Sequence, residues 1–209
     1  MSERMSIESI NGATLTGIKD AQEKFLKWSG GWWLGCAPEY LLTCSIAEAI
    51  YNAEGSCFVT LEHSVTEMMC EIGVKRHGPW PKKLRGNGRA DIVVWWASDN
   101  PRAIVEVKTN VYSLNKIISD IDRIEKTLIK NGKNGYVQFG TLAFFTDASD
   151  SNKSKSGEIL KSRIQGWYDK IKDKDRYGRK LKVEYDFNIE TDGEDSWASV
   201  YFSFRLRNQ

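Results

Sequence analysis

The sequence predicts an α/β domain built on one mixed β-sheet with helices packed against it. Three observations carry that expectation. Apolar, β-branched runs read as strands at Asp91–Trp96, Ala103–Lys108 and Val137–Phe145. Helical periodicity appears before, between and after them, most clearly over 113–131. No Gly-rich loop joins a strand to a helix in the way a dinucleotide-binding fold requires, and no nucleotide cofactor is expected.

Taken in order, residues 1–20 are polar and weakly periodic, and read as a loosely held arm. The aromatic stretch with Phe25, Trp28, Trp32 and Trp33 is broken by Gly30–Gly31 and is expected in the core or at an oligomer contact. Pro38 suits a first helical turn, and Tyr40, Leu41, Ile46, Ala47 and Ile50 then follow at helical spacing up to Gly55. Residues 58–61 read as a short strand or an extended lead-in. Glu62 to Ile72 reads as a helix with Val65, Met68, Met69 and Ile72 on one face and Gly73 just beyond it. VKRHGPW is expected as a strand running into the loop PKKLRGNGR. Asp99-Asn100-Pro101 marks the turn between the two central strands. Ser113 is a suitable N-cap for the helix carrying Leu114, Ile117, Ile118, Ile121, Ile124 and Leu128, which Gly132 ends. A basic amphipathic helix spans roughly 157–172. KVEYDFNIE and WASVYFSFRL then alternate with period two around Asp192-Gly193, a hairpin signal.

At 209 residues with 41% hydrophobic and 28% charged side chains, the chain suits one soluble domain over 1–209. The net charge of +2 leaves any nucleic-acid partner to local patches. Cysteines at 36, 44, 57 and 70 lack CxxC spacing, and His63 and His77 are the only histidines, which argues against a structural zinc site and a disulfide framework. The start lacks the apolar run of a signal peptide, and no stretch approaches a membrane span. A cytoplasmic protein without membrane contact is the expectation.

The chemistry lies in GRADIVVWWASDNPRAIVEVKT. Asp91 opens one strand, and Glu106 and Lys108, two apart on the next, project from one face, while Val105 and Val107 face the opposite side. Two carboxylates supply hard oxygen ligands for Mg²⁺, with Mn²⁺ as its substitute. A neighbouring lysine orients water or stabilises charge on a phosphate. A chance ExK triplet is expected about once in a chain of this length, so the triplet alone is uninformative; an edge-strand Glu106–Lys108 ion pair is the plain alternative. The weight comes from charges interrupting apolar strands, where an unpaired charge is costly.

GRADIVV followed by AIVEVK resembles the PD-(D/E)xK nuclease superfamily, with its restriction-endonuclease-like and Holliday-junction-resolvase-like members; Ala90 stands at the nominal proline. The resemblance implies a core of helix, three strands, helix and strand, placed at about 62–145. An N-terminal helical elaboration at 20–55 and a C-terminal basic helix and hairpin at 153–207 would surround it. It implies a Mg²⁺-dependent endodeoxyribonuclease with metal on Asp91, Glu106 and the Val107 carbonyl, and with Lys108 assisting the water. Members often add a glutamate from the first core helix. Glu62 is the leading choice here, with Glu67 and Glu71 as alternatives, and Glu48 if the core helix is 38–53. DNA is the expected partner, and cutting both strands is compatible with a homodimer. Lys75, Arg76, Lys82, Lys83, Arg85 and Arg89, with no acidic residue between Val74 and Arg89, are expected to track its backbone, with Trp80 available to stack. A second basic stretch, Lys153–Lys182, reads more readily as a solvated helix face. The alternative function is a silent nuclease-fold protein that binds nucleic acid or a partner protein in a phage or defence assembly.

Overall fold

One six-stranded sheet organises the protein, and the computed structural model describes residues 5–53, 55, 57–71, 73, 88–132, 135–150, 155–173 and 177–207. The helices are α1 (Ile7–Ser29), α2 (Glu39–Asn52), α3 (Val65–Glu71), α4 (Ile118–Asn131) and α5 (Ser156–Lys172). The strands are β1 (Cys57–Ser64), β2 (Arg89–Trp96), β3 (Pro101–Lys108), β4 (Phe139–Ser149), β5 (Leu181–Asp192) and β6 (Asp195–Leu206). The sheet order is β1-β2-β3-β4-β6-β5, with β3 and β4 parallel and every other neighbour antiparallel. A helical crossover through α4 is what a parallel pair demands.

Helices cover both faces, and strand residues divide between them with period two. Ile92, Val94, Ala103, Val105 and Val107 join α1 and α2 in one apolar cluster. Val93, Trp95, Ile104, Leu142 and Phe144 join α3, α4 and α5 in the other. This is the α/β arrangement with a mixed sheet that the strand and helix periods predict. The C-terminal hairpin forms as expected, turning at Gly193 with φ 64°.

Four local expectations are corrected. The N-terminal arm is instead the long helix α1, with Ser6 capping its start and Gly30 ending it at φ 73°. Its periodicity is weak because several buried positions are small or polar. Asn11 accepts a hydrogen bond from Thr141 Oγ1 at 2.9 Å, and Gln22 Oε1 accepts from the Leu34 N–H at 2.6 Å. Gly17 lets α1 lie against α2 so closely that a Cβ there would sit 2.5 Å from Ile46 Cα. Gly17→Ala should therefore cost about 1–3 kcal/mol by overpacking. Gly12→Ala, on the same helix with nothing within 4 Å, should gain about 0.5–1 kcal/mol of helix propensity. Urea denaturation of the two variants checks both signs, and equal midpoints would refute the close approach.

Secondly, the helix expected over 62–72 begins only at Val65, because Leu61 and His63 are captured by pairing with Ile92 and Ala90 of β2. Antiparallel pairing outweighs local helix preference at these residues. Thirdly, Ser113 caps no α-helix: a short 3₁₀ turn over Leu114–Lys116 precedes α4, although Gly132 does end that helix. Finally, of the two places expected for the tryptophans, the core is wrong for Trp28 and Trp32, which are 68% and 63% exposed and leave the oligomer contact as their remaining expectation, while Trp33 packs partly against the α1–α2 cluster. The strand expected at VKRHGPW lies outside the described residues.

Candidate active site

The β2–β3 register positions the acidic pair. Ile92 faces Val105, and one further step along the same antiparallel ladder places Asp91 opposite Glu106. By strand alternation Asp91 shares its face with Val93, and Glu106 and Lys108 share theirs with Ile104, all toward α4. Asp91 Oδ2 accepts from the Val107 N–H at 2.7 Å, which pins the Asp91 carboxylate to β3. Lys108 Nζ donates to the Val107 carbonyl at 2.8 Å and to Glu39 Oε1 at 3.1 Å. The other Glu39 oxygen accepts from the Thr109 N–H at 3.0 Å.

Glu106 has 0% of its surface exposed, and its Oε2 accepts from Arg123 Nη1 at 2.6 Å. The second nitrogen of that guanidinium donates to Asp120 Oδ1 at 2.7 Å, and Nη1 also reaches the Arg89 carbonyl at 3.3 Å. Among the described residues, Glu106 Oε1 and Asp120 Oδ2 are buried without a hydrogen-bond partner. A buried polar atom left in this way calls for a functional explanation.

These groups shift one another's acidity. Burial pushes the Asp91 carboxyl up against the opposing effects of the Val107 N–H, Lys108 and Arg123. Burial pushes Glu106 well above the ordinary carboxylate range; Arg123 opposes that shift, while Asp91 and Asp120 add to it. Asp120 rises through burial too, against Lys108 and Arg123. Burial alone would lower the Lys108 ammonium, but Asp120, Asp91 and Glu39 outweigh it and hold the group cationic. The roles open to cationic Lys108 are orientation and charge stabilisation.

Comparison with family models, with curated proteins and with solved structures finds no match to this chain.

Of the residues singled out in the sequence, the structure gathers Asp91, Glu106, Val107 and Lys108. Glu62 falls opposite Asp91 in the β1–β2 register, between the Leu61–Ile92 and His63–Ala90 pairs, but it is an exposed strand residue at φ 51° and not the first residue of a helix. Glu67 and Glu71 on α3 are exposed, and Glu48 is an exposed α2 residue paired with Lys24 at 3.5 Å. The carboxylate that touches Lys108 is Glu39, at the start of the helix containing Glu48. Arg89 is exposed at the start of β2; Lys75, Arg76, Lys82, Lys83 and Arg85, with Trp80, lie outside the described residues.

Sequence reasoning missed Glu39, Asp120 and Arg123. An acidic residue just after a proline at a helix start is an ordinary terminal feature, so Glu39 gave no distinct signal. Asp120 did give one. It sits three residues after Ile117 and four before Ile124, on the buried stripe of α4, where an unpaired charge is costly.

Among the described residues, no three His, Cys, Asp or Glu side chains already form a metal-binding group. Mg²⁺ does not require one, since it is held through one or two carboxylates together with water and substrate phosphate. The residues present fit it. Asp91 and Glu106 are hard oxygen donors, and Glu106 Oε1 is buried with no partner among the described residues. The Val107 carbonyl gives one lone pair to Lys108 and has a second. Among the described residues, the carboxylates of Glu39, Asp91, Glu106 and Asp120 are contacted by two cations, Lys108 and Arg123.

Proposed function

We propose that this chain is a Mg²⁺-dependent deoxyribonuclease whose cation is held by Asp91, Glu106 and the Val107 carbonyl. The observation that carries the reading is the buried Glu106 Oε1, unpartnered among the described residues, on a carboxylate set opposite Asp91 with a tethered lysine two residues away. Such an arrangement is poorly explained as a stabilising ion pair. Buried charges repay their desolvation only when their remaining lone pairs are satisfied. A cation held there would supply Lewis acidity to the phosphate and lower the pKa of a water.

The chain's own residues do the remaining work. Asp91 is oriented by the Val107 N–H, so its free oxygen is fixed before any ligand arrives. Lys108, whose ammonium the neighbouring carboxylates favour, is placed against the carbonyl between Glu106 and itself, where it can orient the attacking water or neutralise charge on the phosphate. Glu39 holds Lys108 there and is anchored in turn by the Thr109 amide. The order α2, β1, β2, β3, α4, β4 also supports the resemblance to PD-(D/E)xK nucleases: it is a helix, three strands, a helix and a strand, with α3 inserted between the first two strands. In this reading the first core helix is α2, and Glu39 replaces Glu62 as its contributed carboxylate. DNA is the proposed substrate and Arg89 a proposed backbone contact.

Cleavage of a mixed-sequence DNA duplex and single strand in Mg²⁺ tests the assignment. Lys108→Ala should lower the rate by about 10²–10³. Glu39→Gln, which keeps a hydrogen-bonding oxygen but loses the charge, should lower it by about 10–100. Cleavage that survives both EDTA and Lys108→Ala would rule the reading out.

One observation favours a second reading. The Glu106–Arg123 contact, at 2.6 Å, neutralises the central carboxylate without any metal. A silent nuclease-fold protein that binds nucleic acid or a partner protein would retain that pair permanently. Tight DNA binding in EDTA with no cleavage in Mg²⁺ or Mn²⁺ would support it.

A further inference from the structure

Arg123 is placed oddly for a structural cation. Its side chain is 16% exposed and contacts, at 2.6 Å, a carboxylate with no exposure at all. Both terminal guanidinium nitrogens contact acids, Nη1 Glu106 and Nη2 Asp120, and each of those acids keeps one buried oxygen with no partner among the described residues. A guanidinium fork can engage both oxygens of one carboxylate, the stronger arrangement. Arg123 instead splits its fork between two carboxylates and satisfies neither.

Asp120 and Arg123 are three residues apart on α4, so the pair travels with its helix, whereas Glu106 belongs to β3. The Arg123–Asp120 bond can persist when the Arg123–Glu106 bond breaks. The guanidinium thus has a second anchor on its own helix and can leave Glu106 without becoming an isolated charge. Asp91 and Asp120 both disfavour an ionised Glu106 while Arg123 favours it, so among the described residues Glu106 without Arg123 stands between two further carboxylates.

We infer that Arg123 is a built-in competitor for the divalent cation: it neutralises Glu106 while the site is empty of metal and is displaced toward Asp120 when a cation binds Asp91 and Glu106. This inference rests on the metal-site reading above, and it assigns Arg123 a positioning role through Glu106. Cation affinity is then set by the exchange of one positive charge for another, and it is weaker than the carboxylates alone would give. The contact that favours a silent protein becomes the resting state of an active one.

Mn²⁺ binding without DNA, read by the loss of the free-ion electron paramagnetic resonance signal, tests the exchange independently of cleavage. Arg123→Gln removes the charge and keeps a hydrogen-bonding side chain, and should bind Mn²⁺ about tenfold more tightly or better, as expected when a positive charge at contact distance is withdrawn. Arg123→Lys should stay near wild type, and adding Asp91→Asn to Arg123→Gln should remove the gain. Should Arg123→Gln fail to fold, the wild-type protein decides the matter: Mg²⁺ titration should shift the side-chain ¹⁵N–¹H resonances of Arg123 and speed their exchange with water, together with shifts at the Val107 amide. Unchanged or weaker Mn²⁺ binding by folded Arg123→Gln overturns the inference, as does a fixed Arg123 resonance while Val107 responds; either result leaves the metal site standing. Absence of Mn²⁺ binding in both proteins, with no Mg²⁺ response at Val107, overturns the metal reading and the inference with it.

Discussion

Asp91→Asn is expected to slow DNA hydrolysis in Mg²⁺ by about a thousandfold or more while leaving the fold in place. The substitution keeps an oxygen that can accept from the Val107 N–H, so the strand contact at 2.7 Å survives. What it removes is one of the two charged oxygen donors opposite each other on β2 and β3. A metal at a phosphate is worth several kcal/mol of transition-state stabilisation, and losing about 4 kcal/mol corresponds to about 10³ in rate. Removing a carboxylate whose ionisation is opposed by burial does not endanger the core, so far-ultraviolet circular dichroism should match wild type. A folded variant that retains more than a tenth of the wild-type rate would remove Asp91 from the catalytic assignment.

The second large effect is on stability, and its sign follows from the raised carboxyls. Asp91, Glu106 and Asp120 all titrate higher in the folded protein than in the unfolded chain, because of burial first. Each binds its proton more tightly when folded, so its contribution is fully present below the ordinary carboxylate range near about 4. That contribution is lost as pH rises through the raised folded value. In chelator, stability should accordingly fall as pH rises from this range toward neutrality. A divalent cation reverses the effect by favouring the ionised forms, and its stabilisation should grow over the same interval. At a hundred times its dissociation constant, a cation binding only the folded state adds about 2.7 kcal/mol, or about 5–10 °C in melting temperature for a chain of this size. Thermal melts at several pH values, with EDTA and with Mg²⁺ or Mn²⁺, measure it. A cation increment absent at pH 7, or larger at acidic pH, would contradict both the site and the sign.

Much of the site's central strand geometry was legible in the residues. Charges at Asp91, Glu106 and Lys108 interrupt runs that otherwise alternate between two apolar faces, and the structure shows those faces as two separate clusters. Strand alternation and a tight turn suffice to bring the three together, because both are local rules. The helical contributions were less legible. Glu39 reaches Lys108 across 69 positions, and Arg123 reaches Glu106 across 17. Neither contact has a local pattern, since it depends on where a whole helix docks. Glu62 was misplaced for the same reason: its neighbours pair with β2, and a cross-strand partner lies outside the window that helical periodicity inspects.

The sequence by itself determined the α/β class, the period-two strands that bury Val105 and Val107 while turning Glu106 the other way, and the hairpin at Gly193. Those features follow from side-chain period and turn chemistry over a few residues. Tertiary structure decided that Glu39 of α2 meets Lys108, that α1 packs closely enough to require Gly17, and that Glu106 is buried against Arg123 with one oxygen unpaired among the described residues. Docking distance and solvent exclusion produce these, and both belong to the assembled sheet and helices; the charges are written in the chain, but their cost arises only when packing removes the water.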